Sequence, residues 1–140
     1  VVFLPHSAKH FESLRPLVDA LLQAGDTECK IIPIPYYDKC GDGRLKEIHY
    51  EGEDFPKGYE IVDYNCYDFS VELPECIVIN SPYDEYNPVW TVDSAFYSRE
   101  MKKYTKKTKE RKRLTRKIGV FCVQHSILRT LITFFTLFFL

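Results

Sequence analysis

Near its start the chain has an amphipathic helix set between short apolar runs, and this order decides the fold class. Residues 1–4 form a continuous apolar run that ends at a proline, as expected for a strand buried on both faces. Apolar residues then recur at three- and four-residue steps from Phe11 to Leu22, with Ser7 as a candidate N-cap and Gly25 as a candidate stop. One face of this helix is therefore predicted to pack on a sheet.

Two further apolar runs extend that sheet. Residues 29–34 indicate a second strand whose prolines limit its pairing, and residues 75–80 indicate a third. Residues 59–69 fit either a short strand or a turn of helix. The stretch from about residue 35 to residue 56 contains turn residues around Gly43 and is predicted to be a long loop. This order predicts an α/β fold, a Rossmann-like parallel sheet flanked by helices.

Charge divides the chain into two parts. Residues 1–98 hold 7 basic and 18 acidic side chains, whereas residues 99–140 hold 12 basic and 2 acidic ones. We therefore expect an acidic domain at residues 1–104 and a basic, then apolar, carboxy-terminal tail at residues 105–140. The basic arm suits an anionic membrane surface, while nucleic acid is not expected because aromatic residues do not interleave with the basic ones.

The ending of the tail has alternative interpretations. Residues 118–140 form a marginal membrane span, because Arg129 interrupts an otherwise apolar run of about the required length. The same residues fit an exposed helical or disordered tail, or an ending without evolved structure. The expected location is the cytoplasm or the cytoplasmic face of the membrane.

Cofactor and metal sites are not predicted. The five cysteines include no CxxC pair, which speaks against a zinc cluster or a disulfide framework and favours a reducing cytoplasm. Gly41 and Gly43 lack the third glycine of a dinucleotide-binding fingerprint. His6 and His10 have the spacing of two metal ligands, but the sequence offers no third ligand.

Polar residues follow the first strand. His6 and Ser7 lie where the amino terminus of a helix offers free N–H groups to an anionic ligand, so both are candidate substrate-binding residues. The alternative is that Ser7 only caps the helix.

The segment after the second strand holds the most enzyme-like residues. His49 is followed by Tyr50 and Glu51, and an imidazole beside a carboxylate can act as a general base, so His49 is the candidate catalytic residue. Alternatively, these residues pin a long loop by hydrogen bonding and packing.

Further candidates for binding a polyol or sugar phosphate lie at the start of this segment and after the strand at residues 75–80. They are Tyr36, Tyr37, Asp38, Asn80, Tyr83, Asp84, Tyr86 and Asn87, and Tyr50 and Glu51 beside His49 are substrate-binding candidates as well. The group from Tyr83 to Asn87 also fits an ordered turn between Pro82 and Pro88. Parallel strands place their carboxyl ends on one side, so Tyr37, His49, Tyr83 and Asn87 are predicted to line one depression.

Several motifs occur in a particular order along residues 1–104. They are VVFLP, PIPYYD followed by Gly43, IHYEG, IVDY, YDF, NSPYDEYN and AFYS. In this order they resemble the amino-terminal region of bacterial CDP-glycerol glycerophosphotransferase-like proteins, the teichoic-acid-polymerase-like family. The resemblance implies one half of a GT-B glycosyltransferase fold, in which the amino-terminal half holds the acceptor and the carboxy-terminal half binds the cytidine nucleotide donor.

The resemblance leads to two functional hypotheses. The first is the acceptor-side half of a glycerophosphotransferase of teichoic acid or cell-surface polymer synthesis, whose partners are a polyol-phosphate or sugar acceptor and a separate donor-binding domain. This half is expected to be inactive alone, since the family-like region ends before a donor-binding domain. The alternative is a non-catalytic Rossmann-like binding module, tethered to a membrane or a partner by its tail.

Overall fold

The computed structural model describes residues 1–81, 83–105 and 121–122, which form two sheets and three α-helices. The strands are β1 (Val2–Leu4), β2 (Lys30–Ile31), β3 (Tyr36–Lys39), β4 (Leu45–His49), β5 (Glu60–Ile61), β6 (Ile77–Ile79), β7 (Trp90–Val92) and β8 (Phe121–Cys122). The helices are α1 (Ala8–Ala24), α2 (Phe69–Glu72) and α3 (Ser98–Met101). Short 3-10 turns cover Gly52–Asp54, Tyr64–Cys66, Asp84–Tyr86 and Ser94–Phe96.

The first sheet is parallel throughout and has the order β5-β2-β1-β6-β8. The first strand of the chain lies in the middle, and the order reverses between β1 and β6, as in a Rossmann-like sheet. The prediction of an α/β fold with a parallel sheet flanked by helices is confirmed at this level. The strand predicted at residues 75–80 is β6, which is the fourth strand of this sheet in chain order rather than the third. The ambiguous residues 59–69 supply an additional strand, β5, and the start of α2.

Helix α1 forms as its sequence predicts. The Ser7 side chain accepts a hydrogen bond from the His10 amide at 3.3 Å and so caps the first turn. Gly25 ends the helix with φ +77°, a left-handed conformation that costs glycine little. The predicted N-cap and stop are both confirmed.

The core lies on both faces of the parallel sheet. Phe3 faces the α1 side, where it joins the buried helix residues Phe11, Leu14 and Val18. Its neighbour Leu4 faces the opposite side, where the cover comes from Phe69, Phe96 and Met101 of the later short helices and turns. Because successive strand residues point to opposite faces, an unbroken apolar run is what a strand covered on both sides requires.

The second sheet corrects the loop predicted for residues 35–56. Strands β3 and β4 form an antiparallel hairpin there, and β7 pairs on the other side of β3, giving the order β4-β3-β7. The hairpin turn is closed by Gly43, at φ +84°, whose N–H donates to the Cys40 carbonyl at 2.8 Å. The strand pattern escaped detection because nearly all of β4 is exposed, so its sequence is polar where a buried strand would be apolar.

Most of the predicted tail lies outside the described residues, and with it the predicted membrane span. Three of its residues are described, and two of them form β8, which pairs in parallel with β6 and sets Phe121 opposite Val78. Within the described ranges, no helix has the length and apolar character needed to cross a bilayer.

Candidate functional site

A depression lies at the carboxyl ends of β1 and β6, where the strand order of the parallel sheet reverses. Crevices at such switch points are the usual ligand sites of open α/β sheets, because loops leave the sheet there in opposite directions. Its polar lining comes from His6, Asn80, Ser81, Asp84, Tyr97 and Ser98. Its apolar lining comes from Leu4, Ile34, Ile79 and Phe96.

Asp84 is the buried acid of this depression. The residue is 7% exposed, and its Oδ1 has no hydrogen-bond partner within the part of the chain that the structure describes. Burial raises the pKa of Asp84 to about 6, although the Ser81 hydroxyl and the Lys39 ammonium both act to lower it. A carboxyl oxygen left in this state has unused capacity to accept a hydrogen bond from a ligand.

Asn80 fixes the end of β6 to helix α1. Its Nδ2 donates to the His10 carbonyl at 3.2 Å and to the Ser13 hydroxyl at 3.3 Å. These bonds hold one wall of the depression against the helix.

His6 connects the depression to a group of aromatic rings. The buried imidazole lies 4.1 Å from the His10 ring, 4.4 Å from the Trp90 ring and 5.2 Å from the Tyr36 ring, measured between centroids. Burial, and then the neighbouring His10, lower the pKa of His6 to about 3. The ring is therefore neutral near pH 7 and offers no positive charge to an anion.

His49 forms a pair with Asp38, on the second sheet. Its Nε2 lies 3.2 Å from the Asp38 Oδ2, and its ring stacks on Tyr36 at 5.0 Å. The sequence suggested Glu51 as the carboxylate partner, but the register of β3 against β4 sets Tyr36 opposite His49 and brings Asp38 within reach instead. An imidazole held by a carboxylate has the arrangement of an oriented general base.

Glu51 joins the second sheet to the start of helix α1. One carboxylate oxygen accepts from the Tyr36 hydroxyl at 2.9 Å, and the other accepts from the Ala8 amide at 3.1 Å. Burial, and then this bond, raise the pKa of Tyr36 to about 12. The helix amino terminus, which the sequence offered to an anionic ligand beside Ser7, is thus already paired with a carboxylate of the chain itself.

The remaining predicted residues have other surroundings. The hydroxyl of Tyr37 donates to the Asp93 carboxylate at 3.3 Å, and the hydroxyl of Tyr50 donates to the Asp63 carboxylate at 3.5 Å. Tyr83 and Tyr86 are 68% and 76% exposed. The Asn87 side chain accepts from the Val89 amide. None of Tyr37, His49, Tyr83 and Asn87 is among the residues that line the depression after β1 and β6.

Lys39 links the β3–β4 hairpin to the segment that follows β6. Its ammonium donates to the carbonyls of Glu85 at 3.2 Å and Asn87 at 2.8 Å. The segments that hold His49 and Asp84 therefore adjoin, although they contribute to different surfaces.

Sequence reasoning missed the contributions of Trp90, Tyr97 and Ser98. Trp90 reaches the rings through β7, and Tyr97 and Ser98 enter the depression from a turn far along the chain. The AFYS motif contains the last two, but a motif alone does not say which strand ends it will face.

Fold and depression together define a Rossmann-like α/β domain with a polar crevice at its switch point. No three His, Cys, Asp or Glu side chains in the described ranges are placed to hold a metal ion. Comparison with protein-family models, with curated proteins and with solved structures found no match to this chain.

Proposed function

We propose that this chain is the acceptor-side half of a CDP-glycerol glycerophosphotransferase-like enzyme of teichoic acid or cell-surface polymer synthesis. The observation that carries the proposal is the depression after β1 and β6, where hydroxyl, amide and carboxyl groups converge over an apolar lining. The depression has room for about one water-sized group, so it suits a single hydroxyl of a polyol phosphate or a sugar whose remainder lies outside it.

The chemistry of the proposed reaction needs one activated hydroxyl. The acceptor oxygen attacks the glycerol-bearing phosphorus of the donor, the bond from that phosphorus to the bridging oxygen breaks, and CMP leaves with the electron pair. His49, oriented by Asp38, is the proposed base that takes the hydroxyl proton. His49 lies outside the depression, beyond the ring of Tyr36, so the hydroxyl that it deprotonates is proposed to be one that the acceptor presents on the second sheet.

The donor is proposed to come from a second Rossmann-like half of the GT-B type, facing the carboxyl ends of the parallel strands. The alternative function is a binding module without catalysis. It is favoured by the pairing of Glu51 with the Ala8 amide, because that pairing removes one obvious site for a phosphate group.

The test is a titration of the 140-residue chain with glycerol 3-phosphate and with short poly(glycerol phosphate), followed by amide chemical shifts. Shifts are expected at the ends of β1 and β6. Ser98→Phe places a large ring in the depression and should abolish them, whereas Ser94→Phe, at an exposed position of the neighbouring turn, should not.

Absence of any shift with both ligands, or shifts that Ser98→Phe leaves intact, would refute acceptor binding at this place. Mixing the chain with a donor-binding half from a related enzyme and CDP-glycerol separates the two functions. Release of CMP supports the transferase, and binding without release supports the module.

A further inference from the structure

Carboxylates occupy both places where a phosphate group would be expected to bind. Glu51 accepts from the Ala8 amide at the start of α1, and Asp84 lines the depression beside it. A negatively charged group that entered either place would meet a like charge at short range, which is unfavourable in a partly buried setting.

No cation compensates for these carboxylates within the depression. Its lining includes no Lys or Arg among the described residues, and its one imidazole, His6, is buried beside a second imidazole. Lys39, whose ammonium acts to lower the pKa of Asp84, already donates to two backbone carbonyls. Arg99 forms an ion pair with Glu85.

Asp84 nevertheless has unfilled hydrogen-bonding capacity. Its Oδ1 is buried and has no partner in the described part of the chain, and its residue is 7% exposed. A neutral hydroxyl can donate to this oxygen without adding charge, and its own oxygen can accept from a nearby hydroxyl such as that of Ser98. The described residues hold no group of three His, Cys, Asp or Glu side chains that could bind a metal ion here.

We propose that the depression binds an uncharged hydroxyl group of a polyol, which donates a hydrogen bond to Asp84 Oδ1, and that any phosphate of the same ligand remains outside it. The inference rests on the proposed function in taking a polyol as the ligand. It adds which part of that ligand the protein recognises: the terminal hydroxyls rather than the charged phosphodiester.

The experiment compares ligands that separate these two parts. The full chain is titrated at pH 7.5 with glycerol, ribitol, glycerol 3-phosphate and inorganic phosphate, and the amides of Ser81, Asp84 and Ser98 are followed. Glycerol, ribitol and glycerol 3-phosphate should shift the same amides, and inorganic phosphate should shift none of them.

Two variants test the role of the carboxyl group. Asp84→Asn should weaken ribitol binding by about 10-fold, because a hydrogen bond to a charged acceptor is worth more than one to a neutral amide. Glu53→Gln removes a charge from an exposed residue outside the depression and should leave the affinity unchanged. Thermal unfolding of both variants verifies that they fold.

Inorganic phosphate that shifts these amides and competes with ribitol would overturn the inference while leaving the proposed function standing. So would an Asp84→Asn variant with unchanged ribitol affinity. Binding of glycerol, ribitol and glycerol 3-phosphate at these amides without any binding of poly(glycerol phosphate) would support the inference and refute the proposed function. If none of these ligands binds, both are refuted.

Discussion

At the scale of single residues, Asp84 is a buried carboxyl whose surroundings disfavour its charged form. Desolvation raises its pKa to about 6, and the Ser81 hydroxyl and the Lys39 ammonium act in the opposite direction. Groups that reduce stability in this way are commonly retained for binding or catalysis.

We predict that Asp84 makes the unfolding free energy depend on pH. The folded pKa is raised from 3.8 to about 6, so the folded chain binds more protons than the unfolded chain between these values. Stability from this group is therefore lost as pH rises from about 4 to about 6, by up to about 3 kcal/mol.

Urea denaturation of the wild type and Asp84→Asn at pH 4 and pH 7.5 measures this loss. The variant should gain stability relative to the wild type at the higher pH, and other carboxylates cancel in the comparison. A constant difference between the two proteins at both pH values would contradict the prediction.

Glu51 is the second residue at which a substitution should lower the unfolding free energy. Glu51→Ala removes the acceptor of both the Tyr36 hydroxyl and the Ala8 amide and should cost about 2 kcal/mol of unfolding free energy. Glu53→Ala, at an exposed position two residues away, should change stability by less than about 0.5 kcal/mol. Chemical denaturation of the two variants checks this, and equal effects would show that the Glu51 contacts contribute nothing.

At the level of elements, the β3–β4 hairpin sets the position of His49 against Asp38. The turn between the strands depends on Gly43, whose φ of +84° other residues adopt only with strain, whereas Gly41 has an ordinary conformation and open space around it. The turn therefore contains two glycines, of which only Gly43 needs the conformational freedom of glycine.

Gly43→Ala should lower the unfolding free energy by about 1 kcal/mol, because the alanine Cβ is strained at positive φ. Gly41→Ala should be neutral or slightly stabilising, since it restricts the unfolded chain without strain in the folded one. Urea midpoints of the two variants give the comparison. A larger loss for Gly41→Ala would mean that the turn differs from the one described.

Helix α1 and the apolar strands were predictable from the sequence, whereas the hairpin was not. The helix has a cap, a stop and a periodic apolar face, all of which act locally. Strand β4 is exposed on nearly every residue, so no burial pattern marks it, and β7, the second partner of β3, is distant in sequence. Tertiary pairing, rather than local preference, decides such strands.

The candidate site likewise contains some residues that local sequence patterns predicted and others that they did not. His6, Asn80 and Asp84 were predictable because they directly follow buried parallel strands. The pairing of His49 with Asp38 depends on the hairpin register, and Tyr97 and Ser98 depend on where a later turn folds back. Neither is encoded in a local pattern.

For the molecule as a whole, the described residues contain one parallel sheet of the Rossmann-like kind. In the family that the motifs resemble, transfer needs two such halves, one for the acceptor and one for the donor. The proposed function therefore assigns this chain a binding role that another half completes.

Accordingly, the 140-residue chain alone is expected to release no CMP from CDP-glycerol in the presence of a lipid-linked polyol-phosphate acceptor. The assay is nucleotide chromatography after incubation with equal amounts of native and heat-denatured chain. Release above that of the denatured control would show that this chain binds and activates the donor by itself.

The position of Trp90 has a consequence for how folding can be observed. β3 and β4 are joined by a short turn and can pair early, but Val92 of β7 must find Tyr36 from far along the chain, which makes that closure slow. Trp90 is the only tryptophan in the sequence, and its ring meets His6 only when both sheets are in place. Its fluorescence is therefore an intrinsic signal for the contact between the two sheets, separate from the formation of helix α1 and of the β3–β4 hairpin.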